Sequence, residues 1–194
     1  MKILWIDLNS SYAHSSLALP ALHAQMKDNP AYEWEIVSAT INENLGTVVD
    51  EIYSHKPDIM ASTCWLFNHE ALMHIVSRAK ALLPESCLIL GGPEFLGDNE
   101  AFLRRNPFVD CVFRGEGEEG FSQWLANWKQ PEAWKSITGL CYIDAETNIR
   151  TTDWHAFLLS TNSRPPKKAI SSTGTNLSCN WKPHEVVSIP ALFA

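Results

Sequence analysis

The sequence predicts an open, three-layer α/β sandwich: a parallel sheet of five strands in the order 2-1-3-4-5, helices on both faces, and a small hairpin at the end. Three observations lead there. Short apolar runs rich in branched residues alternate with longer segments of helical period, the rhythm of parallel strands joined by right-handed crossovers. The chain has 194 residues, enough for one core built on five such strands but not for two. After Pro131 the alternation stops, and GLCYID followed by NIRT reads as two short strands around a turn near 145–148.

The five strands are expected at 2–8 (KILWIDL), 34–39 (WEIVSA), 58–63 (DIMAST), 87–91 (CLILG) and 109–113 (VDCVF). Helical segments fall near 16–27, 46–55, 69–83, 98–105 and 118–128. In the third, Leu72, Ile75, Val76, Ala79, Leu82 and Leu83 recur at helical spacing while Glu70, Arg78 and Lys80 are left for water. In the fifth, Phe121, Trp124, Leu125 and Trp128 form the stripe. The expected organisation is an α/β domain over 1–130, a hairpin appendage over 131–155 and a linker or disordered tail over 156–194. Charge changes with it: in the tail Arg164, Lys167, Lys168 and Lys182 face only Glu185, a balance of +3, so residues 1–155 carry −10 of the total −7.

Composition narrows the function. The chain is 45% hydrophobic and 19% charged, and its pI of about 5.4 leaves no footprint for nucleic acid or an anionic membrane surface. A neutral small ligand suits it better. No apolar run approaches the roughly 20 residues of a membrane span, and MKILWIDLNS lacks the marks of a signal peptide, so a cytoplasmic protein is expected. Five cysteines stand at wide spacings (64, 87, 111, 141 and 179), three of them inside apolar runs, and are expected to be reduced. Neither CxxC nor CxxxCxxC occurs, so a zinc ribbon and an iron–sulfur cluster both lack their ligand spacing.

A sheet of this order, flavodoxin-like or more broadly Rossmann-like, binds ligands at the carboxyl ends of its strands. The informative loops are therefore NSSYAHSS, TCWLFNHE, GGPEFLGD and RGEGEEG. The first offers hydroxyls at Ser10, Ser11, Tyr12, Ser15 and Ser16 together with His14, and Ser15 or Ser16 is the natural N-cap of the following helix. Gly91-Gly92-Pro93 removes side chains that would obstruct either a planar ligand or a close chain crossing. Gly115-Glu116-Gly117-Glu118 is a poor phosphate loop, with acids where a pyrophosphate would sit. Glu118 and Glu119 instead complement the positive end of a helix, and Glu116 is freer to meet a ligand hydroxyl or amide. His69 and His74, near Cys64, read as polar helix residues, and no nucleophile, base and orienting acid assemble from spacing.

Taken together, the hydroxyl-rich first loop leading into LALPAL, GGPEF after the fourth strand and the stretch VDCVFRGEGEEGF resemble the N-terminal B12 (cobalamin)-binding domain of B12-dependent radical SAM proteins. The resemblance spans roughly residues 1–150 and rests on the order and separation of the two glycine motifs. It implies a corrin over the carboxyl edge, with its nucleotide tail entering a slot between the sheet and the helices. Asn9, Ser10, Ser11, Tyr12 and His14 then border the corrin, and Ser62, Thr63, Gly91, Gly92, Pro93 and Glu94 line the slot. Gly115, Glu116, Gly117 and Glu118 close the other side. Bulk at Gly92 is expected to abolish binding with the fold intact.

The resemblance is incomplete in two respects. The DxHxxG pattern whose histidine ligates cobalt in other B12 domains is absent, since Asp7 and His14 stand seven apart. No metal ligand is assigned, and His14 is the one candidate. The family's iron–sulfur cluster and S-adenosylmethionine belong to a barrel that this sequence does not contain, so the chain alone is not expected to be catalytic. The expected role is to hold a corrinoid for methyl transfer or a related radical reaction, with a radical SAM barrel or a second copy as partner. The rival readings are a stand-alone corrinoid carrier or sensor and a flavodoxin-like domain for a nucleotide or flavin. The last would need a phosphate-cradling first loop, and NSSYAHSS has no glycine or base.

Overall fold

The computed structural model of the chain describes residues 1–11, 16–26, 29–115 and 117–153. Along the chain run β1 (Lys2–Asn9), α1 (Ala18–Met26), β2 (Glu33–Thr40), α2 (Leu45–His55), β3 (Ile59–Thr63), α3 (His69–Leu82) and β4 (Cys87–Gly91). A 3-10 turn (Pro93–Phe95) leads to α4 (Glu100–Arg105), β5 (Cys111–Phe113), α5 (Glu118–Ala126), α6 (Pro131–Trp134), β6 (Leu140–Ile143) and β7 (Ile149–Thr151). The tail expected over 156–194 lies outside the described residues. None of the described helices is long and apolar enough to cross a membrane.

The five expected strands pair in parallel in the order β2-β1-β3-β4-β5. The sheet has seven strands, however, because the expected hairpin does not hang free. β6 pairs antiparallel with β5 through Cys111↔Tyr142, Val112↔Cys141 and Phe113↔Leu140, and β7 continues the ladder. The reason is visible in β6 itself: Leu140, Cys141 and Tyr142 are all buried, so this strand is covered on both faces and belongs inside a layered structure.

Strand alternation divides the core in two. Leu4, Ile6, Leu8, Met60, Leu88 and Leu90 face α2, α3 and α4, while Ile3, Trp5, Ile59, Ala61 and Ile89 face α1, α5 and α6. On α3 the stripe Leu72, Ile75, Val76 and Ala79 is buried as its spacing predicts, but Leu82 is 51% exposed where the helix ends. On α5, Phe121, Trp124 and Leu125 are buried and Trp128 packs partly against them. The sequence reading missed α6. It starts with a proline at its first turn and seats the buried Trp134 between Trp124 and Tyr142, with the indole N–H donating to the Asn127 carbonyl at 2.9 Å.

Asp110 tethers the fifth strand. Its Oδ2 accepts from the Leu88 amide at 2.6 Å and from Lys80 Nζ at 2.8 Å, and Lys80 also donates to the Ser86 carbonyl. A strand of three residues is thereby tied to β4 and α3 by a charge-assisted network. Asp110→Ala leaves a strand amide and a largely covered ammonium without their acceptor. It is expected to cost roughly 2–3 kcal/mol of stability, measured by urea unfolding; an unchanged midpoint contradicts the tether.

Candidate functional site: a polar strip on the carboxyl half of the sheet

A parallel sheet packed by helices on both faces reads as nearly continuous apolar runs. On the α1/α5 face the amino half of the strands obeys this, with Ile3, Trp5, Ile59, Ala61 and Ile89 all buried. The carboxyl half does not. Beyond Trp5 the next residues of β1 on that face are Asp7 and Asn9, beside Ser38 and Thr40 of β2, their register partners. Thr63 and Gly91 extend the strip across β3 and β4. Ile36, the β2 partner of Trp5, is 53% exposed.

The helix layer explains the exposure. α1 starts at the carboxyl edge, buries only Leu22 and Met26 in its second half, and is preceded by Leu17 at 67% exposure. Ser16 Oγ caps it by accepting from the Ala18 amide at 3.2 Å. The helix therefore closes over the amino half of the face, while on the carboxyl half Ile36 and Ser38 are exposed, Asp7 is half-buried, and Asn9, Thr40 and Thr63 are buried. Within the strip, Asn9 Nδ2 donates to Asp7 Oδ2 at 2.8 Å. Trp5, just below Asp7 on the same face, has a buried indole N–H with no hydrogen-bond partner.

Above the strip the loops after β3 and β4 are locked together. The Cys64 amide donates to the Gly91 carbonyl at 2.7 Å. Asn68, buried, donates through Nδ2 to the carbonyls of Leu8 (2.9 Å) and Thr63 (3.2 Å) and accepts from the Trp65 amide at 2.8 Å. One side chain thus ties β1, β3 and their loops. Sequence reasoning missed it; the available signal was an asparagine directly before a helix. Trp65 and Phe67 stack with centroids 6.3 Å apart, and Leu66 between them is 83% exposed, giving the edge an apolar rim.

Cys64 lies under this rim with His69 Nδ1 at 3.6 Å, and Glu94 Oε2 is 3.6 Å from the same nitrogen. Burial, and secondarily the Glu94 carboxylate, push the thiol up to about 12. This favours the protonated thiol. Among the described residues no three His, Cys, Asp or Glu side chains group to hold a metal ion.

The structure places the sequence-derived site residues unevenly. Asn9, Thr63 and Gly91 share the strip, with Ser10 and Ser11 continuing from β1. Ser62 does not join them: it points to the other face and its Oγ donates to the Ile6 carbonyl at 2.7 Å. Pro93 and Glu94 form the 3-10 turn. Gly115 has φ +79° with open space at its Cβ position, Gly117 lies against Leu22, and Glu118 starts α5. Tyr12, His14 and Glu116 lie outside the described residues. Trp5 was not singled out from the sequence, and Asp7 only for its spacing from His14, although an acid inside an apolar central strand is a legible signal.

Two clefts among the described residues open at the amino edge. One, of about 300 Å³, lies between Tyr53, Lys56 and the 82–86 turn, and the other, of about 510 Å³, between Met26, Tyr32 and Ala126. One expectation needs correction, at Gly92. It has φ +107°, and a Cβ there would stand 2.6 Å from the Cys64 carbonyl oxygen and 2.7 Å from Thr63 Cγ2. A chain crossing alone requires this glycine, so bulk at Gly92 disturbs the fold itself.

The geometry is that of a doubly wound α/β domain whose ligand edge is the carboxyl edge. Residues 5–125 match the family model described as B12 binding domain, and the chain belongs to that family. It is 31% identical over 71 residues to the cobalamin-dependent radical SAM methyltransferase TokK of Streptomyces tokunonensis, covering 37% of this chain and 10% of that protein. It is 32% identical over 69 residues to the 2-(S-pantetheinyl)-carbapenam-3-carboxylate methyltransferase of Streptantibioticus cattleyicolor, covering 36% and 10%. The chain thus spans about a tenth of the length of these relatives. Among solved structures, the fold is shared with the radical enzyme OxsB with aqua-cobalamin and S-adenosylmethionine bound (TM-score 0.65, 13% identity, 78% of this chain and 22% of that one). It is also shared with the methyltransferase TsrM of Kitasatospora setae (TM-score 0.62, 15% identity, 78% and 30%).

Gly92→Ala is expected to destabilise the protein by the roughly 1–3 kcal/mol of a left-handed non-glycine residue, plus the clash with Cys64. Gly92→Leu should be worse. Thermal unfolding checks both, and wild-type stability in either variant contradicts the crossing argument.

Proposed function

We propose that this chain holds cobalamin at the carboxyl edge of its sheet, with the corrin over the loops and the nucleotide tail in the polar strip. The observation that carries the proposal is the polar carboxyl half of the α1/α5 face, where half-buried Asp7 and buried Asn9, Thr40 and Thr63 stand beside exposed Ile36 and Ser38. Polar side chains inside a doubly packed parallel sheet are costly without polar partners, and a ligand at the edge supplies them. The residues present fit the group: Trp5 has a buried donor without an acceptor, Thr63 and Gly91 are small, and family membership names the ligand class. When bound, cobalamin supplies a cobalt centre able to carry a methyl group.

The chain's own residues bind and orient it. Asn9, Ser10 and Ser11 border the corrin together with Tyr12 and His14; Thr63 and Gly91 line the slot, and Gly115, Glu116, Gly117 and Glu118 close the other side. Ser62, Gly92, Pro93 and Glu94 act one layer back, holding the loops in place. The reaction served is methyl transfer or a related radical step performed by a radical SAM barrel, as in the relatives' named activities. The exposed apolar rim of Trp65, Leu66, Phe67 and Leu96 suits a covering partner, and equally suits a stand-alone carrier that docks on one.

Titration of the purified protein with hydroxocobalamin, followed in the visible spectrum, is expected to give saturable one-to-one binding in the micromolar range or tighter. No spectral change up to high micromolar protein overturns the proposal and leaves only the fold.

A further inference from the structure

We infer that Asp7 reads the nucleotide tail of the corrinoid by accepting a hydrogen bond from one of its hydroxyl or amide groups, so that the site separates corrinoids with a tail from those without. The inference rests on the functional reading above and adds to it a residue and a discrimination.

Asp7 stands on the central strand of the parallel part of the sheet, with β2 on one side and β3 on the other. Burying a carboxylate there is costly unless it is hydrogen-bonded. The neighbouring positions on the same strand are apolar and buried, Ile6 and Leu8 on one face and Trp5 on the other. Asp7 interrupts that pattern and, among the described residues, forms no ion pair. Asn9 Nδ2 occupies Oδ2, and among the described residues Oδ1 has no hydrogen bond. Asn9 also fixes the carboxylate's orientation. The arrangement is an acceptor kept in place for a donor that the described residues do not supply.

Position decides which part of the ligand meets it. Asp7 lies two residues before the end of β1 at Asn9, about 7 Å below the edge at the rise of a strand. A ring lying across the edge loops does not reach that depth, whereas a tail entering the strip passes it. Charge decides which group: a carboxylate in a segment carrying −10 repels the tail's phosphodiester and favours its neutral donors, the ribose hydroxyls and the linking amide. A nonpolar residue at this place would leave such a donor unpaired, which is how a polar site rejects or loses a ligand.

The test compares hydroxocobalamin with aquacobinamide, which has the corrin but no nucleotide, by spectral titration of the whole chain. Asp7→Ala should weaken cobalamin binding about tenfold and change cobinamide binding less than twofold, with the thermal midpoint measured alongside. Asp7→Asn, which keeps the shape and an acceptor oxygen but loses the charge, should fall between the two for cobalamin and serves if the alanine variant does not fold. Equal losses for both corrinoids, or no loss for either, overturn the inference. Binding of neither corrinoid by the unmutated protein overturns the functional reading and this inference with it, whereas unmutated protein that binds cobinamide better than cobalamin overturns only the assignment of the tail to this strip.

Discussion

Double coverage is the constraint on which the structure depends. Strands β1, β3 and β4 lie inside a parallel sheet, so each needs apolar cover above and below. On the α2/α3 face it is complete from Leu4 to Leu8 and from Leu88 to Leu90. On the other face α1 and α5 supply it only as far as Trp5, Ala61 and Ile89. Beyond that point the face turns polar, with Asn9, Thr40 and Thr63 buried and Ile36 exposed, and β6 joins the sheet because its own residues need cover on both sides.

A partly uncovered sheet needs its exposed end held by something other than burial. The loops do this with backbone and amide hydrogen bonds. Asn68 joins the ends of β1 and β3, and the Cys64 amide joins the loops after β3 and β4 where Gly92 lets the chains approach. Asp110 performs the corresponding task for β5. These polar ties hold the loops beside the polar strip, the usual division of labour between scaffold and binding loops.

Much of the fold was legible because hydrophobic period survives in a single sequence: all five parallel strands and five principal helices fall within a few residues of their expected bounds. What escaped depends on partners that period does not reveal. LCYI looks like one arm of a free hairpin until β5 is seen to have an open edge. The glycine at 92 invites a ligand explanation until the Cys64 carbonyl is found 2.6 Å from its Cβ position. Ser62, a candidate by position, turns its hydroxyl to the Ile6 carbonyl on the other face. Asp7 was readable as an acid in an apolar run, but its meaning emerges only when Ser38, Asn9 and Thr63 are placed beside it and α1 is seen to stop short.

The account turns on where the ligand lies, and amide hydrogen exchange with and without hydroxocobalamin tests that most directly. Added ligand should slow exchange in β1 around Asp7–Asn9, in β2 from Ile36 to Thr40 and in the loops after Thr63 and Gly91. It should leave the amino-edge segments 53–57 and 82–86 unchanged. Protection concentrated at the amino edge, or on the α2/α3 face, would contradict it.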